Sequence, residues 1–279
     1  MRWTRGGRSQ NLEDRRGASG MRFGGGGKMG LGGIVILLVL SVVFKQDFLS
    51  LVGGGGAPAP VADAAAPLND PAEEEMVQFV SFVLDDAQEV WTRIFAEQGE
   101  QYPEAQLVLF RQGVASACGT ASSAVGPFYC PGDRKVYIDL GFFNDLDRRF
   151  GAPGDFAQAY VLAHEIGHHI QTVVGTEGQM RAASERDPSR ANELSVRLEL
   201  QADCLAGVWG HFAAQRGILE PGDVEEGLGA AAAIGDDRLQ QGAGARVNPE
   251  SFTHGTSTQR VQWFRRGLEA GRLDVCQTF

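Results

Sequence analysis

The sequence predicts an α+β fold, mostly helical with a small sheet, for residues 71–279. Two observations support this class. Strand-like segments stop after about residue 143, whereas the long segments beyond it have apolar residues spaced three and four apart. Strands and helices that occupy separate parts of a chain are typical of α+β proteins. The domain is long enough to bury a hydrophobic core, and the sequence has no internal repeat.

Each element has its own signal. Residues 70–98 open with acidic residues behind a proline and continue with helical apolar spacing, which predicts a helix of several turns. Residues 107–111 and 135–143 are the predicted strands, separated by a Gly/Pro-rich loop. Gly175 and Gly217 are predicted to end the next two helices. These two helices are predicted at residues 156–175 and 187–217, and two more follow at residues 221–240 and 256–271.

The first 70 residues are predicted to lie outside this domain. The Gly/Arg-rich residues 1–29 and the Gly/Ala/Pro-rich residues 53–70 are expected to be a disordered basic arm and a linker. Between them, residues 30–44 are uncharged and mostly apolar, although a bilayer span usually needs about 20 residues. We interpret residues 30–52 as an uncleaved transmembrane anchor helix. Its basic end is expected in the cytoplasm, because positively charged flanking residues favour that side of the membrane. A cleaved signal peptide and a buried core helix are the alternatives.

Charge is distributed unevenly along the chain. Residues 1–45 carry eight basic and two acidic side chains, a net charge of +6, so the rest carries −16 of the total of −10. An acidic domain argues against nucleic-acid binding. With the arm in the cytoplasm, the domain is expected on the periplasmic or extracytoplasmic side of the cell membrane.

The four cysteines indicate two disulfides. They contain no C-x-x-C pair, which argues against a four-cysteine zinc site, and an exported domain favours disulfides. Of the three possible pairings, we expect Cys118–Cys130 to close a local loop and Cys204–Cys276 to hold the C-terminus. Four buried free thiols are the alternative.

Residues 164–168, HEIGH, form an H-E-x-x-H pattern inside a predicted helix. His164 and His168 are four residues apart, so both rings can reach one ion at Zn–N distances of about 2.0–2.1 Å. Glu165 is turned roughly 100° around the axis, where it can take a proton from a water on the open side of the metal. Burying these groups unpaired in so apolar a helix would be costly, which favours a metal site over an exposed polar face. His169 is expected in the core or beside the site.

A catalytic zinc site takes three protein ligands and keeps an open position. The best candidates for the third are Glu199 and Asp203, four residues apart among apolar residues of the predicted helix 187–217. We interpret Glu199 as the ligand and Asp203 as the acceptor of a ligating histidine's free N–H. Asp203 as the ligand is the alternative. Gly167 leaves room for a second element to approach the first helix closely.

HEIGHH followed by ELQAD resembles the gluzincin metallopeptidases, in which a glutamate of E-x-x-x-D on a second helix is the third ligand. ELQAD and THGTSTQRV are also similar to multi-span membrane peptidases that include the prenyl-protein endopeptidases. Because this chain has one candidate span, that type's substrates are not carried over.

More closely, GPFYCPGDRKVYIDLGFF, HEIGHHIQ, ELQADCLAGVW and FTHGTSTQRVQWFRRG together resemble a bacterial family of membrane-anchored neutral zinc metallopeptidases. The resemblance covers most of residues 71–279. It implies a zincin-like fold, Zn²⁺ as cofactor, His164, His168 and Glu199 as metal ligands, and Glu165 as base.

The stretch 253–261 offers a candidate for stabilising negative charge on the substrate. Polar residues at a helix N-terminus, with Thr256 as the expected cap, favour an anion. We expect His254 to be a catalytic donor to the oxyanion at the scissile carbonyl, with Arg260 holding the loop or the substrate. An ordinary helix cap is the alternative. Residues 135–143 are compatible with a cleft strand that pairs with extended substrate, although a buried strand would look the same.

The sequence therefore predicts a zinc-dependent metallopeptidase hydrolysing peptide bonds of proteins outside the cytoplasm, with Glu165 activating a zinc-bound water. Its expected partners are a protein or peptide substrate and the membrane, reached by the single N-terminal helix, and no nucleic acid. The alternative is a non-catalytic, membrane-anchored zinc-binding interaction domain, although a structural zinc has no use for the base Glu165. A metal-dependent hydrolase of a non-peptide bond is the third hypothesis.

Overall fold

The computed structural model describes residues 1–17 and 70–279, and within them the predicted α+β, mostly helical class is confirmed. The strands are β1 Leu12–Asp14, β2 Gln106–Phe110, β3 Gly113–Ser116, β4 Gly119–Ser122, β5 Phe128–Cys130 and β6 Lys135–Asp139. The helices are α1 Pro71–Glu97, α2 Gly141–Arg148, α3 Asp155–Val173, α4 Thr176–Arg186, α5 Ala191–Gln215, α6 Asp223–Ala233, α7 Asp236–Gly242 and α8 Ser257–Ala270.

The main sheet has the strand order β1-β2-β6-β5. β1, β2 and β6 are parallel, whereas β5 runs antiparallel to β6; β3 and β4 form a separate hairpin. β6 has a bonded neighbour on each side, so of the two interpretations left open for residues 135–143 the structure supports the buried strand. Of the two neighbours of β6, β5 is the one at the sheet's edge. The strand also ends earlier than predicted, because the Asp139 side chain accepts the Gly141 N–H (2.9 Å) and α2 begins there.

Alternate residues of β2 face two different parts of the core. Leu107 and Leu109 pack with the helices, and Val108 and Phe110 pack with Val114 of the hairpin. These four side chains of β2 are at most 1% exposed, whereas Gln106 at the start of the strand is exposed. Burial on both faces explains why the strand is a continuous apolar run rather than an alternating one.

The predicted helix ends agree well with the structure. Gly175 and Gly217 adopt left-handed φ angles of 83° and 72° just beyond α3 and α5. Thr256 caps α8 in a capping box with Gln259, as expected. The predicted helix 221–240 is instead two helices, because Gly235 between them lies against α8, where a Cβ would come within 2.4 Å of a backbone nitrogen.

Both predicted disulfides, Cys118–Cys130 and Cys204–Cys276, are confirmed. The first joins the turn of the hairpin to β5, and the second ties the C-terminal segment to α5.

Residues 1–17 are part of the domain, which corrects the prediction of a disordered arm over residues 1–29. β1 extends the sheet as a parallel neighbour of β2. Trp3 packs edge-on against Phe79 of α1, with 5.4 Å between ring centroids. Composition alone could not reveal this, because the apolar partners of the arm lie far away in the sequence.

Arginines of this arm pair with the acidic first turn of α1. Arg16 is 1% exposed on its side chain and lies 2.7 Å from Asp14 and 3.3 Å from Glu73. Arg8 lies 2.5 Å from Glu74. The basic residues in the described part of the arm, Arg2, Arg5, Arg8, Arg15 and Arg16, are therefore paired with carboxylates within the fold.

Because β1 is hydrogen-bonded into the sheet, residues 1–17 and the domain lie on the same side of any membrane. This arrangement does not fit an anchor that leaves the arm in the cytoplasm and the domain outside. The predicted anchor 30–52 and the linker up to residue 69 lie outside the described residues. In the part of the chain that is described, no helix is both long and apolar enough to cross a bilayer.

Asp14→Asn should weaken docking of the arm at neutral pH and not in strong acid. The hydrogen bonds from Arg16 hold the pKa of the Asp14 carboxyl at about 2, below its ordinary value. A carboxyl with a lowered folded-state pKa stabilises the fold above its ordinary pKa, and this contribution is lost as the pH falls towards the folded value. We expect a loss on the order of 1 kcal/mol at pH 7 that shrinks between about pH 4 and 2.

Thermal unfolding of the two proteins across this pH range measures the effect. The control is Asp147→Asn, which removes an exposed aspartate of α2. A loss for Asp14→Asn that is equal at both ends of the range would contradict the ion-pair explanation.

Candidate metal centre

The centre lies where α3 and α5 approach each other closely. Gly167 on α3 faces Ala202 on α5, and a Cβ at Gly167 would come within 2.9 Å of the Ala202 carbonyl oxygen. Any side chain there would push the helices apart, so the predicted role of Gly167 is confirmed. The close approach brings the histidines of α3 to Glu199 of α5.

His164, His168 and Glu199 meet as the sequence predicted. His164 Nε2 lies 3.1 Å from one carboxylate oxygen of Glu199, and His168 Nε2 lies 3.5 Å from the other. The three ligand atoms lie within 4.8 Å of one another. Burial raises the pKa of Glu199, but the charges of His168, His254 and His164 outweigh it and hold the pKa well below its usual range.

Asp203 lies on the other side of His164, as predicted for its hydrogen-bond acceptor. Its Oδ1 is 2.9 Å from His164 Nδ1 and accepts the Tyr160 hydroxyl at 2.5 Å. Arg260 donates to both of its oxygens at 2.8 Å. Asp203 is 0% exposed, and burial would raise its pKa, but Arg260 and His164 lower it overall. With its oxygens already bonded, Asp203 is not placed to be a metal ligand.

His164 therefore has a carboxylate at each ring nitrogen. Burial lowers the pKa of its imidazole, but Asp203 and Glu199 outweigh burial and raise it to about 9. Proton and metal thus compete for the same ring nitrogen, Nε2.

Glu165 is buried beside these residues at 7% exposure. Burial raises the pKa of its carboxyl, an effect that His168 and His164 partly offset. A carboxyl with a raised pKa can both accept and return a proton near neutral pH.

Arg260 does not hold the substrate or the loop 253–255, which corrects the prediction for this residue. It is 1% exposed, and it also donates to the Ile234 carbonyl (3.2 Å) and the Tyr160 hydroxyl (3.3 Å), with Nη2 3.4 Å from His164 Nδ1. Its role is to hold Asp203. Close packing of α8 on α5 makes this possible, since a Cβ at Gly267 would come within 1.9 Å of the Cys204 carbonyl oxygen.

Asp236 holds the loop instead, and sequence reasoning missed it. Its Oδ2 accepts the backbone N–H groups of Thr253, His254 and Gly255 at 2.8, 2.6 and 2.9 Å. The ring of His254 is 47% exposed, and its Nδ1 lies 3.2 Å from Asp236 Oδ1. Burial lowers the pKa of His254, but the charge of Glu199 and the bond to Asp236 raise it overall.

His169 lies in the core, as expected, and is not among the three grouped ligands. Its Nε2–H donates to the Pro103 carbonyl at 2.6 Å, and its Nδ1 accepts the Tyr129 hydroxyl at 3.0 Å. Tyr129 belongs to β5, so His169 fastens that edge strand to α3. Gln171 was also missed by sequence reasoning; its Oε1 lies 2.9 Å from His168 Nδ1.

The donor set fits zinc. Each ring has a partner at Nδ1, which leaves Nε2 of His164 and His168 facing the Glu199 carboxylate. Ligand atoms on a tetrahedral ion with bonds of about 2.0–2.1 Å lie roughly 3.3 Å apart. The observed Nε2–oxygen distances of 3.1 and 3.5 Å are close to this separation. Two histidines and a glutamate form one of the usual catalytic zinc sets.

Comparison with known proteins finds, over the whole chain, the zinc metallopeptidase family that the sequence motifs resemble. The family model described as "Putative neutral zinc metallopeptidase" matches residues 1–279. "Uncharacterized protein YpfJ" of Escherichia coli (strain K12) is 46% identical over 287 residues, covering 100% of this chain and 99% of that protein. "Uncharacterized protein Rv2575" of Mycobacterium tuberculosis is 44% identical over 189 residues, 64% of this chain and 63% of that protein. No solved structure matches the chain. The chain belongs to the neutral zinc metallopeptidase family.

Proposed function

We propose that this chain is a zinc-dependent metallopeptidase that hydrolyses peptide bonds of proteins outside the cytoplasm. The observation that carries the proposal is the grouping of His164, His168 and Glu199 within 4.8 Å, with the buried Glu165 beside them. These three residues would hold Zn²⁺, which lowers the pKa of a bound water and polarises a carbonyl oxygen when present. A structural site would need no buried carboxyl next to its ligands.

Glu165 is the proposed general base and then general acid. Its carboxylate takes a proton from the attacking water and delivers it to the nitrogen of the leaving amine. The pKa of this group, raised by burial, suits both steps.

His254 is the proposed donor to the oxyanion that develops at the scissile carbonyl. Asp236 and Thr253 contact the ring at Nδ1, and no partner for Nε2 is present among the described residues, so the protonated ring can donate through Nε2. The raised pKa of His254 favours the protonated, donating form.

We propose that the substrate binds as an extended segment along β5, in a zincin-like arrangement. β5 is an edge strand bonded to β6 on one side, and His169 fastens it to the helix that carries the metal ligands. Backbone hydrogen bonds to a strand edge supply affinity for a peptide. Pockets that receive the peptide's alternate side chains supply specificity.

Chelator treatment of the purified full-length protein tests the function. We expect one zinc per chain by metal analysis, hydrolysis of an unfolded protein such as denatured casein, loss of both with chelator, and recovery on adding zinc back. A chain that holds one zinc but cleaves no protein would support the non-catalytic interaction domain instead.

The location outside the cytoplasm is proposed from the two disulfides, since such bonds persist in oxidising compartments. A labelling experiment tests it. Arg5 and Arg272 have side chains exposed by 68% and 67%, and all four native cysteines are in disulfides. In sealed right-side-out vesicles, an impermeant maleimide should label both Arg5→Cys and Arg272→Cys.

Two other results would each correct one point. Labelling of the Arg272→Cys variant alone would place the arm and the domain on opposite sides of the membrane. Labelling of neither variant until the vesicles are opened would place the domain in the cytoplasm.

A further inference from the structure

The amide of Gln171 lies between the two helices that carry the proposed metal ligands. The residue is 0% exposed. Its Oε1 lies 2.9 Å from Nδ1 of His168, its neighbour one turn back on α3. Its Nε2 donates to the Leu198 carbonyl at 2.7 Å and to Gln201 Oε1 at 3.1 Å, both on α5. Leu198 directly precedes Glu199, so one side chain connects two ligand-bearing segments.

The Cys276 backbone carbonyl fixes the direction of these hydrogen bonds. Backbone carbonyls only accept, so Gln201 must donate through Nε2 to the Cys276 carbonyl, 3.0 Å away, and present its oxygen to Gln171. Gln171 must then turn its N–H groups towards Gln201 and the Leu198 carbonyl, and its oxygen towards His168. An amide oxygen cannot donate, so Nδ1 of His168 must carry the proton.

A proton on Nδ1 leaves the lone pair of His168 on Nε2, the nitrogen that faces Glu199. We propose that Gln171 is a positioning residue for metal binding: its amide fixes the tautomer and ring orientation of His168 and ties them to α5. This inference rests on the metal site proposed above.

The two histidines are thus oriented by different chemistry. Asp203 holds His164 with a carboxylate whose charge is balanced by the buried Arg260. Gln171 holds His168 with a neutral amide, and a second buried carboxylate there would need a second buried cation. Loss of such an orienting group typically weakens metal affinity by about 10–100-fold.

The wild-type protein without metal gives the first test. Long-range ¹H–¹⁵N spectra at alkaline pH, where imidazoles are neutral, should show the proton of His168 on Nδ1. His169 is an internal control, because its Nε2–H donates to a carbonyl and it should show the opposite tautomer. A proton on Nε2 of His168 would overturn the proposal without any variant.

Zinc affinity, measured by competition with a chromophoric chelator, gives the second test. Gln171→Met keeps the side chain's length and removes the acceptor, so the dissociation constant should rise about 10–100-fold. Gln201→Met is the matched control, because Gln201 bonds to Gln171 and not to His168. Its dissociation constant for zinc should stay close to that of wild type, since the Leu198 carbonyl still orients Gln171.

The outcomes separate this proposal from the metal site itself. If wild type does not bind zinc tightly, the proposed function fails first. If wild type binds zinc and Gln171→Met binds it equally well, only the positioning role of Gln171 is wrong. Should Gln171→Met not fold, the tautomer of His168 in the wild-type protein still decides.

Discussion

Glu165→Gln is expected to lower hydrolysis by about 10²–10⁴-fold, the usual effect of removing a general base, while zinc stays bound. Glutamine has nearly the shape of glutamate but cannot take up a proton. Glu165 is not in the ligand group formed by His164, His168 and Glu199. Its replacement should therefore change the chemistry and leave the metal in place.

Metal analysis and a protease assay on the same preparation measure the two quantities separately. Glu193→Gln makes the same chemical change on the exposed first turn of α5, where the side chain is 47% exposed, and should leave both unchanged. Loss of zinc along with activity in Glu165→Gln would show that Glu165 is a ligand or a structural residue. Full activity in this variant would remove the general-base mechanism.

The grouping of the proposed metal ligands could be predicted because much of its geometry is local. His164 and His168 share a face through helical periodicity alone, and Glu199 and Asp203 share one in the same way. Choosing between Glu199 and Asp203 needed one further idea: a ligating histidine is held in place by a second carboxylate that does not itself bind the metal. The structure places the two carboxylates as that idea requires.

The residues that were missed act through long-range contacts. Asp236 binds the loop of His254 from 18 positions away in the sequence, and Gln171 reaches α5 across 27. Neither an aspartate at a helix start nor a glutamine in a helix has a pattern that reveals such a partner. Asp236 had one weak signal, the Gly235 before it, which marks a break in an otherwise helical stretch.

The disordered arm was a wrong prediction, whereas residues 135–143 were left open between a cleft strand and a buried strand. The basic arm was judged by composition. Composition cannot reveal a three-residue strand whose hydrogen-bonding partner, β2, lies in the domain far away in sequence. For β6, the signal was present: Val136, Tyr137 and Ile138 are consecutive and all at most 1% exposed. A continuous apolar run is typical of an interior strand, and this pattern argued against a strand open to substrate.

Glu199 and Asp203 offer the sharpest separation of roles within one helical turn. Both oxygens of Glu199 face the ring nitrogens of His164 and His168, so Glu199→Ala removes one of three protein ligands. We expect its zinc stoichiometry to fall to near zero. Asp203→Ala is a poor comparison, because it would leave the buried Arg260 unpaired, at a typical cost of about 3–5 kcal/mol.

Asp203→Asn is the better variant, because it leaves no cavity and its one amide oxygen can still accept from His164 and from one Arg260 nitrogen, although it too removes the negative charge opposite Arg260. Because it weakens orientation without removing a ligand, we expect zinc affinity about 10–100-fold below wild type and partial occupancy at a free zinc concentration that saturates wild type. Equilibrium dialysis of both variants against buffered zinc, with Glu193→Ala as the control, measures these values. Tight binding of one zinc by Glu199→Ala, with its loss in Asp203→Asn, would reverse the two roles. Normal binding by both variants would place the third ligand elsewhere and remove the His164–His168–Glu199 site.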